Sequence, residues 1–210
     1  MVMYLGFDPG GAGTFGWCVL EGDVLPLTVV ESGVCNHAHQ AISVALEVTG
    51  KRTVAAAGID APLFWRSDGD RVVDQQLRKQ ISRLGAHAAT VNSINSMRGA
   101  CLVQGMMTAM LLRQRLGPGV QLTETHPKAG LWLLGIATRP HTPDQVKCSE
   151  LSAYMQGDFE QHSEHERDAA FGAMSAFAMN HRLNGWHDLF PVEMDPILTL
   201  TQPLGYWMPE

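Results

Sequence analysis

The chain reads as short apolar runs divided by turn residues, then as longer stretches with helical spacing. Residues 2–7 form an apolar run that stops at Asp8-Pro9-Gly10-Gly11, residues 14–20 a second that stops at Glu21-Gly22-Asp23, and residues 24–34 a third. Runs of this length joined by Gly- and Asp-containing turns predict an antiparallel three-stranded meander. Apolar positions take helical spacing over 38–48, and residues 53–59 form a small, β-branched run closed by Asp60-Ala61-Pro62. Proline lacks the N–H a strand needs, so this run ends there as a buried strand reached by a crossover helix. A polar helix is predicted over 70–82, a loop containing Asn92, Ser93, Asn95 and Ser96, and an apolar helix over 97–115 ended by Gly117-Pro118-Gly119. A strand at 120–123, a helix entering at Pro127, and helices over 143–155 and 164–182 follow, with turn signals at Asp195-Pro196 and Gln202-Pro203. The predicted class is α/β: a mixed five-stranded sheet, its first three strands antiparallel and its fourth and fifth parallel, with helices on both faces.

Composition narrows the class. With 210 residues, 45% apolar and 17% charged, the chain suits one domain over 1–210, with a short C-terminal extension at about 183–210. The longest nearly apolar stretch, 99–112, is interrupted by Gln104 and falls short of the roughly 20 residues a membrane span needs. The N-terminus has no basic leader, and a cytoplasmic location is expected. Cys18, Cys35, Cys101 and Cys148 form no C-x-x-C pair and are expected to be free thiols. A net charge of −6 does not advertise a wide nucleic-acid footprint, so any polyanion site is expected to be local.

Four acids fall where elements start or stop: Asp8, Asp60, Glu124 and Asp168. Parallel strands place ligand sites beyond their carboxyl ends, which would bring Asp60 and Glu124 to one edge, with Asp8 beside them. The helix carrying Asp168 is apolar nearly all round and is expected to be buried, with Gly172 and Ser175 letting it lie close to the sheet. Carboxylates about 4 Å apart repel by roughly 4 kcal/mol at an effective dielectric of 20, so a converged cluster needs a cation or protons. Oxygen donors favour Mg²⁺ or Mn²⁺, and two such ions support phosphodiester hydrolysis. Each acid also has a local reading: Asp8-Pro9-Gly10-Gly11 as a turn, Asp60 as the lead into a proline stop, Glu124 as a charge at a helix N-terminus, and Asp168 as a partner for Arg167.

The opening G-F-D-P-G-G-A-G-T-F-G-W from Gly6 to Trp17 resembles ribonuclease H-like nucleases and Holliday-junction resolvases. With G-I-D-A-P-L at Gly58 to Leu63, R-x-x-D-x-x-L-R at Arg71 to Arg78, T-E-T-H-P at Thr123 to Pro127 and E-R-D-A-A-F-G-A at Glu166 to Ala173, it resembles domain-of-unknown-function family 429 over about residues 3–182. That family is described as predicted nucleases of ribonuclease H-like fold, a description that rests on fold analogy. The resemblance implies that Asp8, Asp60, Glu124 and Asp168 are the catalytic, metal-binding acids for two ions, with Asp8 bridging them. It also implies that Asp74 and Arg78 line the cleft. Their alternative is a simple i, i+4 ion pair. The tail, Pro203 to Pro209, lacks the acid-glycine pair often found at the family's end.

Other groups bear on the same chemistry. Arg71, Arg78, Lys79, Arg83 and Arg98 form the densest basic segment, where substrate phosphate could dock, or a solvated face. His126 is a candidate proton shuttle or phosphate contact, or a helix-capping neighbour, and Trp65 could stack a base or simply pack. His162 and His165 have a spacing open to a transition metal, although a solvated helix entry explains them as well. The expected function is divalent-metal-dependent hydrolysis of nucleic acid, DNA or RNA. Two alternatives stay open: a non-catalytic interaction domain on the same scaffold, and an ATP-binding phosphotransferase of the actin-hexokinase type. No membrane partner is expected, and the oligomeric state, a homodimer included, is undecided.

Overall fold

A computed structural model describes residues 1–66, 70–93, 99–157, 163–193, 196–198 and 204–210. The meander forms as the pattern dictates. Strand β1 (Met3–Asp8) pairs antiparallel with β2 (Phe15–Glu21), which pairs antiparallel with β3 (Leu27–Cys35). Helix α1 (Ala38–Thr49) crosses to β4 (Val54–Ile59), which lies parallel to β1. A two-residue strand β5 (Phe64–Trp65), helix α2 (Val72–Arg83) and helix α3 (Gly99–Leu116) lead to β6 (Gln121–Glu124), parallel to β4. Helix α4 (Pro127–Leu133), the two-residue β7 (Met155–Gln156) and helix α5 (Glu164–His181) follow. The remaining strands are β8 (Trp186–Asp188), β9 (Ile197–Leu198) and β10 (Leu204–Pro209).

The five expected strands are all present, but the main sheet is larger than predicted. Among the described residues it has eight strands in the order β7-β3-β2-β1-β4-β6-β10-β8, and β5 with β9 forms a separate pair. The additional strands are short or lie in the tail. β10 enters parallel to β6 and takes β8 antiparallel on its other edge. β7 adds two register pairs to β3, too few residues to leave a periodic signal.

Helix α5 lies across one face, and three glycines set how closely. A Cβ on Gly6 would strike the Ala169 carbonyl, and one on Gly58 the Gly172 carbonyl. The backbones of β1, β4 and α5 therefore meet where side chains are missing. Tyr4, two residues from Gly6 on the same face, packs edge-on against Phe177 at 5.3 Å. As expected, α5 is buried from Glu166 through Ala178. Helix α3 sits on the opposite face, where Gly105 meets Ala61 and Pro9, and α1 packs beside it.

The helix expected over 143–155 is not formed. The segment makes two 3-10 turns, Pro143–Gln145 and Cys148–Leu151, before β7. Its carbonyls have other partners: Arg167 Nη1 donates to Pro143 O at 2.7 Å and to Val146 O at 3.1 Å. Gln145 and Glu150 side chains accept from the Thr142 and Lys147 backbone N–H groups. The cysteines are free thiols, and among the described residues no helix is long and apolar enough to cross a membrane. Asn95, Ser96, Arg98, His162, Asp195, Gln202 and Pro203 lie outside the described residues.

Candidate functional site

The sheet register places the acids. Phe7 pairs with Ile59 and Ile59 with Glu124, so Asp8, Asp60 and Thr125 stand one step further on, at the carboxyl ends of three adjacent parallel strands. The Asp60 N–H donates to Phe7 O at 2.9 Å and the Thr125 N–H to Ile59 O at 3.0 Å, continuing both ladders. Side chains alternate along a strand. Gly6 and Gly58 face α5, and so do Asp8 and Asp60 two residues on. Thr125 confirms that face, since its hydroxyl lies 3.0 Å from that of Ser175 on α5. Glu124, one residue earlier, projects to the other side.

There Glu124 is enclosed. Arg71 donates Nη2 to its Oε1 at 2.6 Å and Nη1 to its Oε2 at 2.9 Å, and the Leu63 N–H donates to Oε2 at 2.9 Å. The same guanidinium grips Asp74 through Nε and Nη2 at 2.8 and 2.9 Å and stacks over the Phe64 ring at 4.4 Å. Arg71, Asp74 and Glu124 are all buried. Burial raises the Glu124 carboxyl to about 7 against the opposing pull of Arg71. Arg71 is the centre of an internal ion cluster that closes the loop following Asp60, and it also lines the cavity shared by Asp8 and Asp60.

On the α5 side the acids are less completely paired. His165 Nδ1 lies 2.7 Å from Asp8 Oδ2, and an ionised carboxylate only accepts, so the ring carries its proton there. That bond is the largest reason the His165 pKa is raised. Asp168 is buried, and Arg167 donates Nε and Nη2 to its Oδ1 at 2.9 and 2.6 Å, as one local reading foresaw. Burial and the Asp8 charge raise its carboxyl to about 7 although Arg167 pulls the other way. Among the described residues the Asp60 carboxylate takes no hydrogen bond and forms no ion pair. Burial, then Asp8, Asp168 and Glu124, hold its pKa well above the usual carboxylate range. Burial also raises the Asp8 pKa, with His165 opposing.

Asp8, Asp60 and Glu124 line a cavity of about 200 Å³ that also takes in Asp74, His126 and Lys128. Asp168 is not among the described lining residues, although its charge acts on Asp60. His126 occupies the N-cap of α4 without making a capping bond, and its buried Nδ1 has no partner among the described residues. Burial, then the charges of Arg71 and Lys128, push its pKa down to about 4, so the ring is neutral at pH 7. Lys128 Nζ pairs with Asp144 at 2.7 Å and lies 3.5 Å from Glu164. Arg78 does not pair with Asp74. It holds Asp70 at 2.6 Å, because Asp74 is taken by Arg71. Trp65 is committed to the β5-β9 pair opposite Ile197.

Around this end of the sheet five carboxyl groups, Asp8, Asp60, Asp74, Glu124 and Asp168, face the cations Arg71, Arg167 and Lys128, with His165 hydrogen-bonded to Asp8. The group is short of positive charge, and Lys128 is further shared with Asp144 and Glu164. His165 was legible only in part: it precedes Asp168 by three residues on a helix, which puts both on one face. Arg167 was legible only as the neighbour and local partner of Asp168, and Lys128 carried no sequence signal beyond its charge. Compared with family models and with curated proteins, the chain matches none.

The fit to a divalent cation follows from the free donors. Among the described residues, Asp60 has both oxygens without a hydrogen bond, and Asp8 and Asp168 one each. These are hard oxygen donors of the kind Mg²⁺ and Mn²⁺ take, and Mg²⁺ is commonly held by one or two carboxylates with water completing the shell. Among the described residues no three His, Cys, Asp or Glu side chains are gathered closely enough to enclose an ion by themselves. The donors as placed fit one hydrated ion on Asp8 and Asp60. A site drawing on all four acids would require Glu124 to leave Arg71.

Proposed function

We propose that the protein is a divalent-cation-dependent phosphodiesterase acting on nucleic acid, with Asp8 and Asp60 as its central pair and a fold of the ribonuclease H-like kind. The observation that carries this reading is the unpartnered Asp60 carboxylate, beside Asp8 and in a cavity short of positive charge. The order β3-β2-β1-β4-β6 within the larger sheet, with three adjacent parallel strands ending at the cavity, supports it. So do the sequence blocks that resemble domain-of-unknown-function family 429.

Bound between Asp8 and Asp60, Mg²⁺ or Mn²⁺ would supply activated water and neutralise charge on the phosphate. The protein's own residues set the rest. His165 fixes the Asp8 carboxylate by a 2.7 Å hydrogen bond, leaving the other oxygen to the cavity. Arg71 and Glu124 hold the loop after Asp60 through the Leu63 N–H and Phe64 O, so the Asp60 carboxylate is presented from a rigid turn. Lys128 lines the cavity beside Arg71, which Asp74 and Glu124 already hold, and so is the cation for an incoming phosphate, while the neutral His126 offers a hydrogen bond without adding charge.

Calorimetric titration of Mn²⁺ and Mg²⁺ into wild type and Asp8→Asn tests the reading, followed by cleavage assays on single- and double-stranded DNA and RNA. Binding lost in the variant while its melting curve persists, together with metal-dependent cleavage, is the expected result. A folded wild type that binds no ion and cleaves nothing would leave the non-catalytic domain, which the enclosure of Glu124 by Arg71 favours.

A further inference from the structure

Beyond Lys128 the acidic cavity meets a second, larger one of about 430 Å³. Thr90, Asn92 and Lys128 line both, so the two are joined along one wall. Their chemistry differs. The first holds acids, Arg71 and Lys128. Of the described residues lining the second, Lys128 and Asp144 carry charge, and they pair with each other at 2.7 Å. Its remaining lining residues are His87, Ala89, Trp132, Thr142 and Pro143. His87 uses Nδ1 to accept the Ala89 N–H at 3.1 Å, which leaves Nε2 as its remaining hydrogen-bonding atom. Rings and a methyl group therefore alternate with two hydroxyls and an amide in a space without net charge.

Size separates the two cavities as charge does. A space of about 200 Å³ suits a phosphate group and a hydrated ion, whereas 430 Å³ falls within the range of cavities that take small organic ligands. We propose that the second cavity receives the nucleoside next to the scissile phosphate, with Lys128 at the junction holding that phosphate. This assignment rests on the phosphodiester reading of the acids and extends it to a substrate class. A base can enter a side cavity only when it has left a duplex stack, so the substrate is single-stranded or locally unpaired nucleic acid.

Calorimetry with nucleoside monophosphates and with inorganic phosphate, each in Mn²⁺, tests the assignment on wild type, Ala89→Trp and Asn92→Ala. Ala89 and Asn92 are exposed, so both variants should fold, which melting curves check. In wild type a mononucleotide should bind about tenfold or more tighter than phosphate. Ala89→Trp fills the cavity and should bring that ratio to within about twofold while phosphate affinity stays the same. A mononucleotide that binds wild type no tighter than phosphate, or an advantage that survives in both variants, overturns the assignment. Hydrolysis of bis-para-nitrophenyl phosphate, a diester without a nucleobase, separates the two readings. Its metal-dependent hydrolysis without nucleotide preference retains the phosphodiesterase and rejects the nucleoside cavity. Nucleotide preference without hydrolysis of any diester does the reverse.

Discussion

Replacing Asp60 by asparagine should make the protein more stable, and the gain can be worked from the site. Asp8 and Asp60 end adjacent parallel strands, which run about 4.8 Å apart. Two carboxylates about 5 Å apart at an effective dielectric of 20 repel by about 3 kcal/mol. The His165 contact on Asp8 and solvent in the cavity reduce this, leaving a net cost of about 1–2 kcal/mol in wild type. Asparagine keeps the shape and removes the charge. For a chain of this size 1 kcal/mol shifts the melting temperature by about 2–4 °C, so Asp60→Asn should melt about 2–8 °C above wild type at pH 8 in a chelating buffer. The difference must depend on pH. Because the Asp60 pKa is raised on folding, the native state holds more protons than the unfolded state above about pH 4. Wild-type stability from this group is therefore full below that pH and is lost as pH rises through the raised native value. The variant's advantage should vanish near pH 4 and grow toward pH 8. Millimolar Mg²⁺ should stabilise wild type more than the variant. Differential scanning calorimetry across this range decides the matter: a variant that melts at or below wild type at pH 8 without divalent ions refutes the claim that Asp60 is an uncompensated charge.

Arg71→Ala leaves Glu124 and Asp74 buried without their cation and should cost about 3–5 kcal/mol in urea unfolding. Gly58→Ala forces a Cβ into the Gly172 carbonyl and should cost at least about 2 kcal/mol in the same assay. The His165 ring should titrate above 6.5 by NMR in wild type and return toward it in Asp8→Asn, since the bond to Asp8 is the chief cause of the shift. Unchanged His165 titration in that variant would dissociate the histidine from the site.

The sequence announced strands and helices wherever periodicity ran for a full element. The meander, α1, β4, β6 and α5 appear within a few residues of their predicted bounds, and the burial of Asp168 followed from the apolar surroundings of its helix. It failed where tertiary contacts outweigh local pattern. The Arg167 side chain takes the Pro143 and Val146 carbonyls, which no reading of 143–155 alone could foresee. At the site, strand ends located Asp8, Asp60 and Glu124 and the apolar helix located Asp168, but only pairing register reveals that Glu124 enters the cavity from the opposite face of the sheet to Asp8 and Asp60. That distinction depends on a single step along β6, within the uncertainty of any strand boundary read from pattern. Arg71 was recognised as basic and assigned outward, whereas the acids that claim it come from α2 and from β6.

The placement of α5 and β10 has a consequence for how the chain acquires its structure during synthesis. The central strands β1, β2 and β4 are complete by residue 59, yet the helix that covers one of their faces begins at Glu164. The partner that completes the far edge of β6 arrives only with Leu204–Pro209. At about 5–20 residues per second, translation leaves that apolar sheet face without its native cover for several seconds or more, the interval in which aggregation competes. The same separation makes closure of the sheet depend on contacts far apart in sequence, a topology that folds slowly. Nascent chains of this protein should therefore depend on chaperones until α5 has emerged.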